Sequence, residues 1–299
     1  MSLALAEAYP VVHETFAQAD ALLGYALSEL CFRGDESQLN DTLHTQPALF
    51  VAGVATYRLL LAQLGATLAP AFVAGHSLGE FTALVAGGAL SFEDGLRLVR
   101  RRAELMKIAG EKAPGAVAAI LGLEVEPLRE VCARASAATG QVVVLANDNC
   151  AGQGVISGAE LAVEHALTLA TQAGAKRALR LAVSVAVHSP LMEGAALEFA
   201  RVVDETPLQA PHTPLMANLS ATPLTTSDEI RAELKAQLTG SVRWRESILA
   251  MSEKGVHTYL ELGPSAVLVG LVKRISKDST RYSLETPAEL EALLALARA

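Results

Sequence analysis

Apolar residues recur along the chain with two different spacings, and the spacing changes from one segment to the next. Ala48–Gln63 is apolar on most faces and predicts a buried helix. Ala71–Gly75 (AFVAG) reads as a short apolar strand, and the small residues from Glu80 to Gly87 begin another helix. Ser91-Phe92-Glu93-Asp94 puts a hydroxyl at an N-cap and acids in the first turn, opening a helix that runs to about Ala109. Thr286-Pro287-Ala288-Glu289 starts a last helix with Leu290, Leu293, Leu294 and Ala297 on one face. Helices alternating with strands in this way predict an α/β fold around a parallel sheet.

The middle of the chain follows a different order. Ala116–Leu123, a helix from Pro127, Val142–Ala146, Val155–Gly158, a helix over Leu161–Gly174 and Lys176–Val185 spell β-α-β-β-α-β. That is the split βαβ, or ferredoxin-like, arrangement. The flanking segments continue their own pattern without it. The expected organisation is an α/β core built from residues 1–113 and 186–299, with residues 114–185 inserted as a ferredoxin-like subdomain.

Composition narrows the function classes. Of 299 residues, 51% are hydrophobic and 19% charged, which excludes intrinsic disorder. The net charge of −8 argues against a nucleic-acid partner, which needs a basic surface. Leu59–Gly79 is free of charged residues, but Gln63, Gly65, Thr67, Pro70, His76 and Ser77 interrupt it, so two buried elements are expected and not a membrane span. The N-terminus has no basic region and carries Glu7, unlike a signal peptide. Cys31, Cys132 and Cys150 are scattered and odd in number, which favours a reducing cytoplasm over disulfides or zinc. The seven histidines are dispersed, and no metal site is expected.

Gly75-His76-Ser77-Leu78-Gly79 fits G-x-S-x-G between a predicted strand and a predicted helix. A serine at such a turn is held in a strained conformation with its hydroxyl exposed, and small residues two positions to either side are expected to avoid collision across the turn. The Leu78 amide then faces a developing oxyanion. A serine needs a base. Among the histidines, His188 stands out, because it ends the apolar run Leu181–Val187 just before Ser189-Pro190, at a strand-to-helix junction. A hydrogen-bonded core histidine is the competing reading. In Arg100-Arg101-Arg102, Arg102 alone has only apolar neighbours three and four residues away (Leu98, Val99, Leu105 and Met106), which places it on the buried flank. A buried guanidinium must be paired, either with an internal acid or with a substrate carboxylate.

With these residues in place, the chain resembles the malonyl-CoA:acyl carrier protein transacylases of fatty-acid and polyketide synthesis over nearly its whole length. The landmarks are Thr45-Gln46-Pro47-Ala48, Gly75–Glu80, Leu98–Arg102, Val183–Ser189, Ser241-Val242-Arg243-Trp244 and Glu261-Leu262-Gly263-Pro264. The resemblance implies a hydrolase-like α/β core with an inserted ferredoxin-like subdomain. It implies Ser77 as the acylated nucleophile, His188 as its base and Arg102 as the grip on the malonyl carboxylate. It also implies a histidine oriented by backbone carbonyls, one of them from the loop around Ser241–Trp244. Gln46, Asn147, Asn149 and Arg243 are the further residues it places at the substrate. The substrates implied are malonyl-CoA and the phosphopantetheine thiol of acyl carrier protein, with CoA as a thioester substrate and no bound cofactor.

Members of that family open with a core strand leading into G-Q-G-S-Q, whose last glutamine supplies a second oxyanion donor. This sequence begins downstream of it, at Met1-Ser2-Leu3-Ala4, and its one Gly-Gln-Gly, Gly152–Gly154, falls in the inserted subdomain. A sheet lacking one central strand, with an open edge and an oxyanion hole reduced to the Leu78 amide, is therefore expected; a misassigned start or a shortened chain accounts for it best. One such donor contributes roughly 10²–10³ in rate. For an acidic carrier, Lys176, Arg177 and Arg180 are the candidate docking cations, a solvated face being the competing reading. Two other functions fit fewer residues: a serine esterase or thioesterase, and a weakly active or non-enzymatic remnant that binds partners.

Overall fold

The computed structural model describes residues 1–183 and 185–298. Ser184, part of the Val183–Ser189 block, lies outside the described residues. Five helices come first: α1 (Leu3–Ala8), α2 (Pro10–Leu23), α3 (Leu27–Arg33), α4 (Glu36–Leu39) and α5 (Thr42–Leu64). The Asp41 side chain caps α5 by accepting from the Leu43 N–H. Helix α5 is long and apolar enough to cross a membrane. Its residues Phe50, Val51, Val54, Leu59 and Leu60 are instead buried in the main core, against α2 and the helix that follows the Gly75–Gly79 turn, here called the elbow. The predicted helix is there, with almost two extra turns at its start.

Strand β1 (Val73–Ala74) is followed by the elbow, α6 (Gly79–Ala86) and α7 (Phe92–Lys112). Ser91 caps α7 by accepting from the Asp94 N–H, and Leu98, Val99, Arg102, Leu105 and Met106 form its buried flank. The helical spacing thus put Arg102 on the correct side.

The next elements are β2 (Gly115–Leu121), α8 (Val125–Thr139), β3 (Val143–Cys150), β4 (Gln153–Ala159), α9 (Glu160–Gln172) and β5 (Arg177–Arg180). They make an antiparallel sheet in the order β3-β4-β2-β5, with a hydrophobic cluster of its own. That is the ferredoxin-like order. Strand β5 is shorter than predicted: its pairing to β2 ends where the Leu181 N–H donates to the Val117 carbonyl, and Leu181 and Val183 beyond it are exposed.

The remainder returns to the core as α10 (Glu193–Glu205), β6 (Leu215–Met216), β7 (Pro223–Leu224), α11 (Ser227–Ala236), α12 (Trp244–Glu253), β8 (Thr258–Leu262), α13 (Val267–Ile275), β9 (Thr280–Leu284) and α14 (Pro287–Arg298). β1 pairs in parallel with β6, and β8 in parallel with β9 over five residue pairs. Among the described residues these two sheets do not join. A cavity of about 820 Å³ lies between them, bordered by Phe72–Gly75 on one side and Thr258–Leu262 on the other.

The two subdomains are stitched together beside the elbow. The Asp148 N–H donates to the Val242 carbonyl at 2.9 Å, and the Val242 N–H donates to the Ala146 carbonyl at 2.8 Å. Arg245 on α12 donates from Nε to the buried Asp148 carboxylate at 2.9 Å. Backbone pairing and a part-buried ion pair therefore fix β3 against the core.

Candidate active site

Ser77 sits between β1 and α6 with φ of +51°, in the left-handed region that favours glycine. Gly75 makes the turn possible, since a Cβ there would lie 2.0 Å from the Gly79 backbone. Gly79 behaves differently: a Cβ there would meet open space, so only the first of the two flanking glycines is sterically required. The Ser77 N–H donates to Asn218 Oδ1 at 2.7 Å, which takes it out of the oxyanion hole. Among the described residues the Leu78 N–H has no partner in the chain, so it is the amide left at the N-terminus of α6 for a developing negative charge.

Ser77 Oγ is 2.8 Å from His188 Nε2. His188 is buried, with φ of +59°, and its Nδ1 lies 2.9 Å from both the Gln237 and the Gly240 carbonyls. Carbonyls only accept, so Nδ1 carries the proton and Nε2 is the lone-pair nitrogen facing the serine. No acid takes part. The Gly240 carbonyl belongs to the loop around Ser241–Trp244, and the Gln237 carbonyl comes from just upstream of it. Burial, reinforced by the Arg102 charge and by His76, drives the His188 pKa down to about 3, which keeps the ring a free base.

Arg102 meets the same hydroxyl. It is 2% exposed and donates to Ser77 Oγ at 3.0 Å, to Gln46 Oε1 at 2.6 Å and to Gln237 Oε1 at 3.1 Å. Its Nε has no partner, and among the described residues it makes no ion pair. The reading of Arg102 as half of an internal ion pair is thus set aside. Burial lowers its pKa to about 10, opposed by Glu80, so the guanidinium stays charged near neutrality. A buried cation held by neutral acceptors, with donors to spare, is a seat for an anion.

Gln46 and Asn149 also belong to this neighbourhood. Gln46 is oriented by donating to Thr42 Oγ1 at 2.8 Å, which turns its oxygen toward Arg102. Asn149 Oδ1 accepts from His76 Nε2 at 2.9 Å, beside the nucleophile. Asn147 contributes a backbone bridge to Val242, and its side-chain oxygen is buried without a partner. Arg243 is engaged elsewhere: Glu246 and the Leu219 and Ser220 carbonyls hold its guanidinium beside a second cavity shared with Arg129 and Arg245. In the Gly152-Gln153-Gly154 run, Gly152 completes the β3–β4 turn and Gln153 and Gly154 begin β4, with Gln153 bound to Arg274. Of the docking candidates, Arg180 is paired with Glu160 and Glu164, whereas Lys176 and Arg177 are exposed.

Sequence reasoning missed Asn218, Gln237, Gly240 and the role of Glu80. No local pattern marks the first three. Glu80 carries a local signal, a carboxylate in the first turn behind the nucleophile.

The family described as "acyl transferase domain" matches residues 1–291. The malonyl CoA-acyl carrier protein transacylase of Escherichia coli K12 is 44% identical over 292 residues, 98% of this chain and 93% of that protein. The Bacillus subtilis strain 168 protein of the same name is 41% identical, over 97% of this chain and 90% of its own length. The structure of the Coxiella burnetii transacylase superposes with a TM-score of 0.95 at 39% identity, covering 99% of this chain and 92% of that one. A malonyl-transacylase solved in complex with a type II polyketide acyl-carrier protein superposes at 0.94 and 41% identity, covering 98% and 94%. A strained serine, a histidine turned by carbonyls and an unpaired buried arginine, together with a match over nearly the full length, place this chain in the acyl transferase family.

Proposed function

We propose that this chain transfers a malonyl group from malonyl-CoA to the phosphopantetheine thiol of an acyl carrier protein, in fatty-acid or polyketide synthesis, through a malonyl ester on Ser77. The observation that carries the reading is the placement of Arg102, a buried cation without an acidic partner on the hydroxyl that His188 activates. The relatives' names supply the donor and acceptor.

In the first half-reaction His188 Nε2 takes the Ser77 proton as Oγ attacks the thioester carbonyl. The Leu78 N–H supports the tetrahedral oxyanion. The C–S bond breaks, the sulfur leaves with the proton from His188, and Ser77 holds the malonyl ester. In the second half the carrier thiol gives its proton to His188 and attacks that ester; the C–O bond breaks and Ser77 recovers its proton. Throughout, Arg102 holds the distal carboxylate, moving its hydrogen bonds from Ser77 Oγ to the substrate. The carboxylate also offsets the charge that depresses His188, so substrate binding strengthens the base. No resident cofactor has a step here.

The carrier is proposed to dock at Lys176 and Arg177, next to exposed Leu179, Leu181 and Val183 at the free edge of β5. Arg180, neutralised by two glutamates, contributes less than the sequence suggested. Asn147 and Asn149 are proposed to line the acyl cleft from β3, while Arg243, held by Glu246, is not proposed to bind the substrate.

Intact-mass analysis after mixing with malonyl-CoA tests the reading. A stable adduct of one malonyl group, lost in Ser77→Ala and discharged by a carrier thiol, is expected. Rapid release of free malonate without an adduct would point to the esterase reading instead.

A further inference from the structure

Glu80 is fully buried one turn behind the nucleophile, and nothing in the proposed reaction uses it. Its carboxylate touches only donors. Oε1 accepts from the Asn218 N–H at 3.0 Å and from Asn218 Nδ2 at 2.8 Å, and Oε2 accepts from Gln237 Nε2 at 2.5 Å. Three N–H donors and no acceptor suit an ionised carboxylate. Burial and the neighbouring Glu233 push the other way, raising the Glu80 pKa to about 8.

The two amides that face Glu80 also face the active site. Asn218 turns its oxygen to the Ser77 N–H and also donates from Nδ2 to the Gly75 carbonyl at 2.8 Å. Gln237 donates from Nε2 to the Ser77 carbonyl at 3.0 Å and turns its oxygen to Arg102. An amide has one donor end and one acceptor end, so fixing the donor ends on Glu80 fixes where both oxygens point.

We propose that Glu80 is a positioning residue which, by orienting the Gln237 amide, keeps an acceptor on Arg102 and so holds the guanidinium ready for the substrate carboxylate. This rests on the malonyl-transfer reading. It separates two roles. On the Asn218 side, an oxygen is all that is needed. On the Gln237 side, an acceptor is needed, because Gln237 must present its NH₂ there.

Glu80→Gln tests the distinction with almost no change in shape. The new amide must keep its oxygen toward Asn218, where both partners donate, so its NH₂ faces Gln237. Gln237 then has no good orientation: kept as it is, its NH₂ meets the new NH₂, and flipped, its NH₂ confronts the Arg102 guanidinium and its oxygen the Ser77 carbonyl, so its hold on Arg102 is weakened either way. The elbow keeps its other support, since the Ser77 carbonyl still accepts from the Glu80 N–H position at 3.1 Å.

The experiment compares the unsubstituted protein with Glu80→Gln, following Ser77 malonylation by intact mass and Ser77 labelling by a fluorophosphonate, which needs no carboxylate. The expected result is a KM for malonyl-CoA raised at least tenfold, with kcat changing much less, and malonylation efficiency falling at least tenfold more than labelling. Equal losses in both readouts, or a KM within twofold, overturn the proposal. If Glu80→Gln does not fold, Gln237→Met removes the same amide at similar length, and the same outcomes apply. Should the unsubstituted protein be labelled but never malonylated, the transfer reading fails. The positioning role is then decided by free malonate, whose protection of Ser77 from the fluorophosphonate Glu80→Gln must weaken at least tenfold; undiminished protection overturns it.

Discussion

At the scale of single residues, the site works by withholding the usual partners. His188 has carbonyls where a triad has an acid, and Arg102 has amides and a hydroxyl where a structural ion pair has a carboxylate. With its pKa near 3, His188 is a free base throughout the range in which proteins normally operate. Fluorophosphonate labelling of Ser77 is therefore expected to show no loss of rate around pH 6.5 on acidification from pH 7.5 to 5; a half-maximal point near 6.5 contradicts this environment for the ring. The sign for stability follows. Between its folded value and about 6.5 the histidine takes up a proton only when unfolded, so His188 makes the protein less stable as pH falls below 6.5. In Arg102→Ala the second cause of the depression is gone, and any acidic limb in labelling moves upward.

Among the elements, the elbow shows how finely the motif divides. Gly75→Ala forces a Cβ into the Gly79 backbone and is expected to destabilise by at least about 3 kcal/mol or to abolish Ser77 labelling. Gly79→Ala, at the first position of α6 with open space around it, is expected to be neutral or stabilising by up to about 1 kcal/mol. Denaturant midpoints check the pair, and equal damage from both would show that the turn is constrained otherwise. The strand–elbow–helix unit and the buried flank of α7 were readable because each depends on residues close together in sequence. Gln237 and Asn218 were not, because their partners lie 160 and 141 residues away and nothing in their local context distinguishes them. Strand β5 was overextended because the apolar run continues through Leu181–Val187, whereas the pairing ends at Arg180 although β2 itself runs on to Gly115.

Across the whole molecule, a core and a ferredoxin-like unit are joined where β3 meets the Val242 segment, so that Asn149 reaches His76 at the elbow. The order of the small sheet was legible because its six segments are consecutive. The relation between the β1 and β8 sheets was only partly so, since a cavity, not a strand, separates them. The carrier surface belongs to this scale too. Lys176→Glu with Arg177→Glu is expected to slow discharge of malonyl-Ser77 to a carrier by tenfold or more at low salt, with little effect on its formation from malonyl-CoA; unchanged discharge rates would remove the patch. The central claim is that an unpaired guanidinium selects the acyl group. It is tested most directly by competing malonyl-CoA against acetyl-CoA and weighing the two Ser77 adducts in the unsubstituted protein and in Arg102→Ala. The account predicts a strong malonyl preference that falls by about 10²–10⁴ in the variant, the loss of two charge-assisted hydrogen bonds; a preference that survives the substitution would contradict it.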